Sequence, residues 1–138
     1  MKDQSNITTM KDIAITLKQN KPGELAKAVG AIANAQVNIE GFSEADGTFH
    51  CVTDDPKSAQ KALESAGFSV GETDVLVFRG EDRPGYLANV LRGIAEQEVN
   101  VITSYVLTDT RIALGVDQPA RVKETLQQQF APQAAQRR

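Results

Sequence analysis

The chain has 138 residues, 41% hydrophobic and 24% charged, with a formal net charge of −3 and a pI of about 5.2. That length suits one ordinary domain or two very small ones sharing a core. The acidic balance lacks the Lys and Arg surplus needed to neutralise phosphates, which argues against nucleic acid as a partner, and no apolar run approaches the roughly 20 residues of a membrane span.

Residues 1–10 are polar and carry no apolar stretch of the kind a secretory signal needs, so they are expected to be a flexible extension. Ile13, Ile15 and Leu17 then alternate with Ala14, Thr16 and Lys18, the period of a strand with one buried face. Pro22 fits the first turn of a helix, where its missing N–H would be unpaired anyway. Leu25, Val29, Ile32 and Ala33 follow as a helical apolar stripe. Val37-Asn-Ile begins a second strand, and Asp46-Gly47 is a tight turn into a third, Thr48–Thr53. Asp55-Pro56 caps and opens a second helix whose stripe is Ala59, Ala62, Leu63 and Ala66, stopped by Gly67. A fourth strand, about 68–72, runs almost directly into the next strand at about Asp74.

From there the pattern repeats. A shift of 62 residues aligns Asn20–Ile39 with Asp82–Val101 without a gap, and eight of the twenty positions are identical: Pro22/Pro84, Gly23/Gly85, Leu25/Leu87, Ala26/Ala88, Ile32/Ile94, Ala33/Ala95, Val37/Val99 and Asn38/Asn100. Ordinary residue usage would give about one or two. One inserted residue extends the match through Asp54/Asp117, Pro56/Pro119 and Leu63/Leu126. The reading is therefore α+β: two tandem ferredoxin-like βαββαβ units, antiparallel sheets with helices on one face, spanning 11–72 and 73–130. Residues 131–138 are expected to be a flexible tail. The second unit lacks a β-branched run after its last helix, Ala120–Phe130. Either its sheet ends one strand short or a segment from elsewhere fills the gap. An open edge would invite a partner strand, and this makes a homodimer an expectation.

Strand-Asn/Asp-basic-Pro-Gly-x-Leu-Ala, a helix and then Val-Asn-Ile or Val-Asn-Val resembles the ACT domain, twice, over about Asp12 to Phe130. The resemblance implies a small regulatory module that binds amino acids and controls enzymes of amino-acid metabolism. Modules of this kind pair side by side and hold ligands near the pairing seam. It also implies that Asn20, Gly23, Leu25 and Asn38 in the first copy, and Asp82, Arg83, Gly85, Tyr86, Leu87 and Asn100 in the second, are ligand-binding positions.

The physical chemistry of the loop points to the same place. A helix start offers N–H groups and partial positive charge to a carboxylate, a glycine lets a ligand approach the backbone, and Asp82 is a charged acceptor for an amino group. The copies differ at Glu24/Tyr86 and at Gly41-Phe42-Ser43/Thr103-Ser104-Tyr105, and the Asp82 loop is the better equipped. Bland readings stand beside these: the Pro-Gly pairs as plain helix starts, Asn38 and Asn100 as turn residues, Asp82 as a cap, Lys21 and Arg83 as solvated charges.

An enzyme is not expected. One His and one Cys fall on adjacent positions of a strand and so face opposite ways, and there is no metal-ligand spacing, phosphate loop or nucleophile elbow. Neither cofactor nor metal is expected. The lone Cys51 is compatible with a reducing cytoplasm. The function expected is a non-catalytic sensor of a small amino acid or related carboxylate at the seam between units. The alternative is a ligand-free subunit or scaffold docking on an amino-acid biosynthetic enzyme.

Overall fold

The computed structural model describes residues 7–19 and 21–129. Its elements run β1 (Ile7–Thr16), α1 (Glu24–Asn34), β2 (Ile39–Ala45), β3 (Thr48–Thr53), α2 (Pro56–Ser65), β4 (Val70–Arg79), α3 (Tyr86–Glu96), β5 (Val101–Leu107), β6 (Arg111–Val116) and α4 (Pro119–Gln129). This is the βαββαβ order once and then, with β4 shared, βαββα: an α+β fold with antiparallel pairing, as the duplication implied. The chain divides into two compact units, Lys11–Thr73 and Met1–Met10 together with Asp74–Arg138.

In the first-copy unit β3 pairs antiparallel with β1 and with β2. The hairpin between β2 and β3 turns on Asp46 (φ 53) and Gly47 (φ 86), both in the left-handed region that a two-residue hairpin of matching twist requires. The alternation read in the sequence places Ile13, Ile15, Leu17, Phe49 and Cys51 on the side covered by the helices. They bury there with Ala28 and Ile32 of α1 and Ala59 and Leu63 of α2. Asp55 caps α2, accepting from the Ser58 N–H at 3.2 Å and from its hydroxyl at 2.8 Å. These bonds, the side-chain one first, hold the Asp55 carboxyl below its ordinary range. Burial first, then the charge of Asp12, pushes the Cys51 thiol up to about 12, which leaves it protonated and unreactive at neutral pH.

Thr53 is 2% exposed, and its hydroxyl has no hydrogen-bond partner among the described residues. The matching position in the second copy is Val116. An unpaired buried hydroxyl costs about 1–3 kcal/mol, and the repeat supplies an isosteric solution. Thr53→Val is expected to raise the unfolding free energy by about 1 kcal/mol, measured as a higher urea midpoint at unchanged slope; a lower midpoint would mean that the hydroxyl is satisfied.

In the second-copy unit β6 pairs antiparallel with β4 and with β5. Leu76, Phe78 and Leu114 bury with Val90 and Ile94 of α3 and Val122 and Leu126 of α4. The shared design extends to detail. The turn after the first helix of each copy passes through a positive φ at Gln36 (62) and Glu98 (59), and a bulge interrupts the ladder at Ile39/Gly41 and at Val101/Thr103.

Two sequence expectations change here. The first 10 residues are not wholly an extension: Ile7–Met10 are strand, they belong to the second-copy unit, and Ile7 is 3% exposed within its core. The Lys123 ammonium reaches the Thr9 hydroxyl at 3.4 Å. The start of the chain thus supplies the strand for which the second copy has no sequence of its own. The fourth strand of copy one and the first of copy two are likewise one continuous strand, β4. The tail 131–138 and the last residue of the expected helix, Phe130, lie outside the described residues.

Candidate functional site

Both Pro-Gly loops end on a glycine in the left-handed region, Gly23 (φ 93) and Gly85 (φ 87), and each is the N-cap of its helix with no side-chain cap hydrogen bond. The prolines therefore precede the helices and do not occupy their first turns as the sequence suggested. The physical reason is the positive φ: the chain reverses at glycine before the helix can begin. Around the site of a missing Cβ at either glycine there is open space to 4 Å. Each helix start is thus accessible, and substitution there is strained by backbone geometry alone.

The surroundings of the two starts differ. In α1 the first turn carries Glu24, whose Oε1 accepts from the Gln19 N–H at 3.2 Å. A carboxylate already placed at the positive end of the helix competes with a ligand carboxylate for the N–H groups of that helix start. The first turn of α3 has no acidic residue. Arg83 there pairs with Glu81 (Nε to Oε1, 2.6 Å) and lies 5.4 Å from the centre of the Tyr86 ring, so its charge is turned to Glu81 and not to Asp82.

Beside this loop is an open cavity of about 300 Å³, bounded by Gly80, Glu81 and Asp82, by Val106 of β5, and by Thr110 and Ile112. The Gly80 N–H donates to the Thr110 carbonyl at 2.7 Å, and a Cβ at Gly80 would come within 2.9 Å of Ile112 Cδ1 and 3.3 Å of Tyr86 Cε2. Glycine at 80 is what allows loop and hairpin to close up on each other. The residues around the cavity include two acidic and two aliphatic ones, a set suited to an ammonium group attached to an apolar body.

The other expected positions distribute as follows. Asn20 lies outside the described residues. Leu25 is half-buried and lines a separate apolar hollow of about 240 Å³ with Val29, Ile39, Phe42 and Phe49. Tyr86, read as a ligand contact, is 8% exposed and packs in the core, with its hydroxyl 3.5 Å from the Arg79 carbonyl. Burial, then Glu81, raise its pKa, and Arg83 opposes them. It faces inward because its helix stripe is Tyr86, Val90 and Ile94, one turn apart. Leu87 is displaced from that stripe and is 49% exposed.

Asn38 and Asn100 do not form the left-handed turn; Gln36 and Glu98 do. The Asn38 N–H donates to Asp54 Oδ1 at 3.0 Å while the Asp54 N–H donates to the Asn38 carbonyl at 3.1 Å. Asn100 and Asp117 repeat both bonds at 3.1 and 3.2 Å. These reciprocal clamps tie the start of the second strand of each copy to the end of the third. The signal was available as the Asp54/Asp117 identity, but without a third dimension nothing linked it to the asparagines 16–17 residues earlier.

A family model described as an ACT domain pair matches residues 7–131. The chain belongs to the ACT family. No curated protein matches it. Among solved structures, this ACT pair is similar to a protein from Bacteroides thetaiotaomicron, at 25% identity and TM-score 0.82 with 92% of each chain covered. It is also similar to the regulatory subunit of aspartate kinase from Thermus flavus (16% identity, TM-score 0.67, 91% of this chain and 95% of that one). A structure of aspartokinase alpha and beta subunits aligns at 19% identity and TM-score 0.64, covering 91% and 97%. At such identities the last two show the fold. The ACT pair thus shares its fold with these two structures, and among its described residues no helix is long and apolar enough to cross a membrane.

Proposed function

We propose that this ACT pair is a non-catalytic regulatory protein that senses a small amino acid or related carboxylate at the loop of its second copy. The observation that carries the reading is the asymmetry between the helix starts: α3 opens without an acidic side chain, next to a cavity edged by Asp82, whereas α1 already holds Glu24. The ligand carboxylate meets the N–H groups at the start of α3, where Gly85 leaves the approach open. Asp82 receives the ammonium group, and Val106 and Ile112 take the side chain. Arg83 serves indirectly by neutralising Glu81, and Asn38 and Asn100 hold the strands through their main chains. Sensing follows if the ligand binds one arrangement of the protein better than another.

The test is a panel of the standard amino acids scored by thermal unfolding of the full chain. A ligand present at 100 times its dissociation constant stabilises by about 2.7 kcal/mol. At least one amino acid is expected to raise Tm saturably. Silence across the panel would favour the other reading, a ligand-free subunit that docks on a biosynthetic enzyme. The observation that bears on that reading is that Leu87, Ile102 and Val106 of the second-copy unit are 49%, 66% and 67% exposed, apolar side chains that a docking partner would cover.

A further inference from the structure

The first copy carries a second concavity that the amino-acid reading does not use. It measures about 340 Å³ and is bounded by three separate stretches of chain: the end of β1 with Thr16 and Lys18, the first turn of α1 with Glu24 and Lys27, and the turn after α2, residues 66–69. All belong to the unit Lys11–Thr73. Phe68 packs against the core of that unit, and the Lys27 ammonium stands 5.6 Å from the centre of its ring. The cation is thereby held over a fixed aromatic face, so less side-chain freedom is lost when it meets a ligand. The Glu24 carboxylate is engaged with the Gln19 N–H on the loop, and the residues bounding the cavity include two lysines and one glutamate.

The fold does not require this arrangement. At the equivalent positions of the second copy Lys18, Glu24 and Lys27 become Gly80, Tyr86 and Asn89, with no charge among them. A local excess of positive charge in a hollow, on a chain of net charge −3, draws anions to that spot. Lysines act as point charges and suit compact, multiply charged anions.

We propose that the Lys18–Lys27 cavity is a binding site for a small dianion, a phosphate or a dicarboxylate, separate from the loop of the second copy. Two sources share that chemistry, and two probes separate them. Inorganic phosphate and succinate are each titrated into the full chain at constant ionic strength, with the backbone amides of Gly67 and Ser69 followed by NMR. A saturable shift is expected with at least one probe. Phosphate alone saturating assigns a phosphate ligand, succinate alone a dicarboxylate, and both the shared dianion chemistry.

Lys18→Gln combined with Lys27→Gln is expected to weaken binding by about tenfold or more, while Lys21→Gln, outside the cavity, leaves it unchanged. The double variant is first checked for the native amide spectrum elsewhere, and Lys27→Arg, which keeps the charge, is a second variant expected to retain binding. A response that rises without saturating for both probes overturns the proposal. So does equal affinity in the double variant. Asp82→Asn leaves this binding intact, so failure here and failure of the amino-acid reading are separately visible.

Discussion

Replacing Ile7 with alanine is expected to lower the unfolding free energy by about 3 kcal/mol, an effect that a frayed N-terminus could not produce. Ile7 is 3% exposed and shares a core with Leu76, Phe78, Val90 and Leu126, more than 60 positions away in sequence. Truncating it leaves a cavity among side chains that hold one another in place, so the cost is the lost transfer free energy plus a term for the void. An exposed residue in a loose extension would change stability by no more than about 0.5 kcal/mol. Urea unfolding of the full chain, followed by circular dichroism, measures the difference. A change under about 1 kcal/mol would return residues 7–10 to the status of an extension and leave the second copy a strand short. The same physics makes either copy a poor candidate for excision: β1 and β4 each begin in one unit and end in the other, so a cut at either boundary opens a sheet.

Gly85→Asp is expected to abolish the stabilisation of the protein by its amino acid, with affinity falling by at least about a hundredfold. Two effects combine. The residue sits at φ 87 beside open space, so a side chain there projects into the path the proposed ligand carboxylate would take to α3. Its negative charge also takes the place at the helix start that the ligand would otherwise hold. Gly85→Asn separates charge from shape, because asparagine tolerates the left-handed backbone about as well as aspartate but carries no charge; it is expected to bind more weakly than wild type and more tightly than Gly85→Asp. Gly23→Asp is the matched change in the other copy, where Glu24 already occupies the first turn, and it is expected to leave affinity within about threefold. The readout is the ligand-dependent shift in Tm of each variant against its own unliganded value. Equal loss in Gly23→Asp and Gly85→Asp would place the ligand at both loops, and loss in Gly23→Asp alone would move it to the first.

By itself the sequence determined the duplication, the order of elements within each copy, the helix stripes and the Asp55-Pro56 start of α2. These depend on periods of two and 3.6 residues and on capping chemistry, which act over a few neighbours along the chain and so can be read from it. The ACT resemblance rests on the same local features, repeated at matching offsets. Where partners lie far apart in sequence, the tertiary structure decided. Nothing in Ile7-Thr-Thr-Met10 shows that these residues complete a core built from positions 76–126, because one apolar residue among polar neighbours looks like an extension until its partners are in place. The inward turn of Tyr86 was written in its spacing to Val90 and Ile94, but a tyrosine beside a glycine loop reads equally well as a ligand contact until burial is known. The asparagines hold their strands through main-chain atoms, which no side-chain motif reveals. The asymmetry of the two loops was visible as Glu24 against Tyr86. That Glu24 lies at its own helix start while Arg83 turns to Glu81 is a matter of rotamers and distances, and those exist only once the chain is folded.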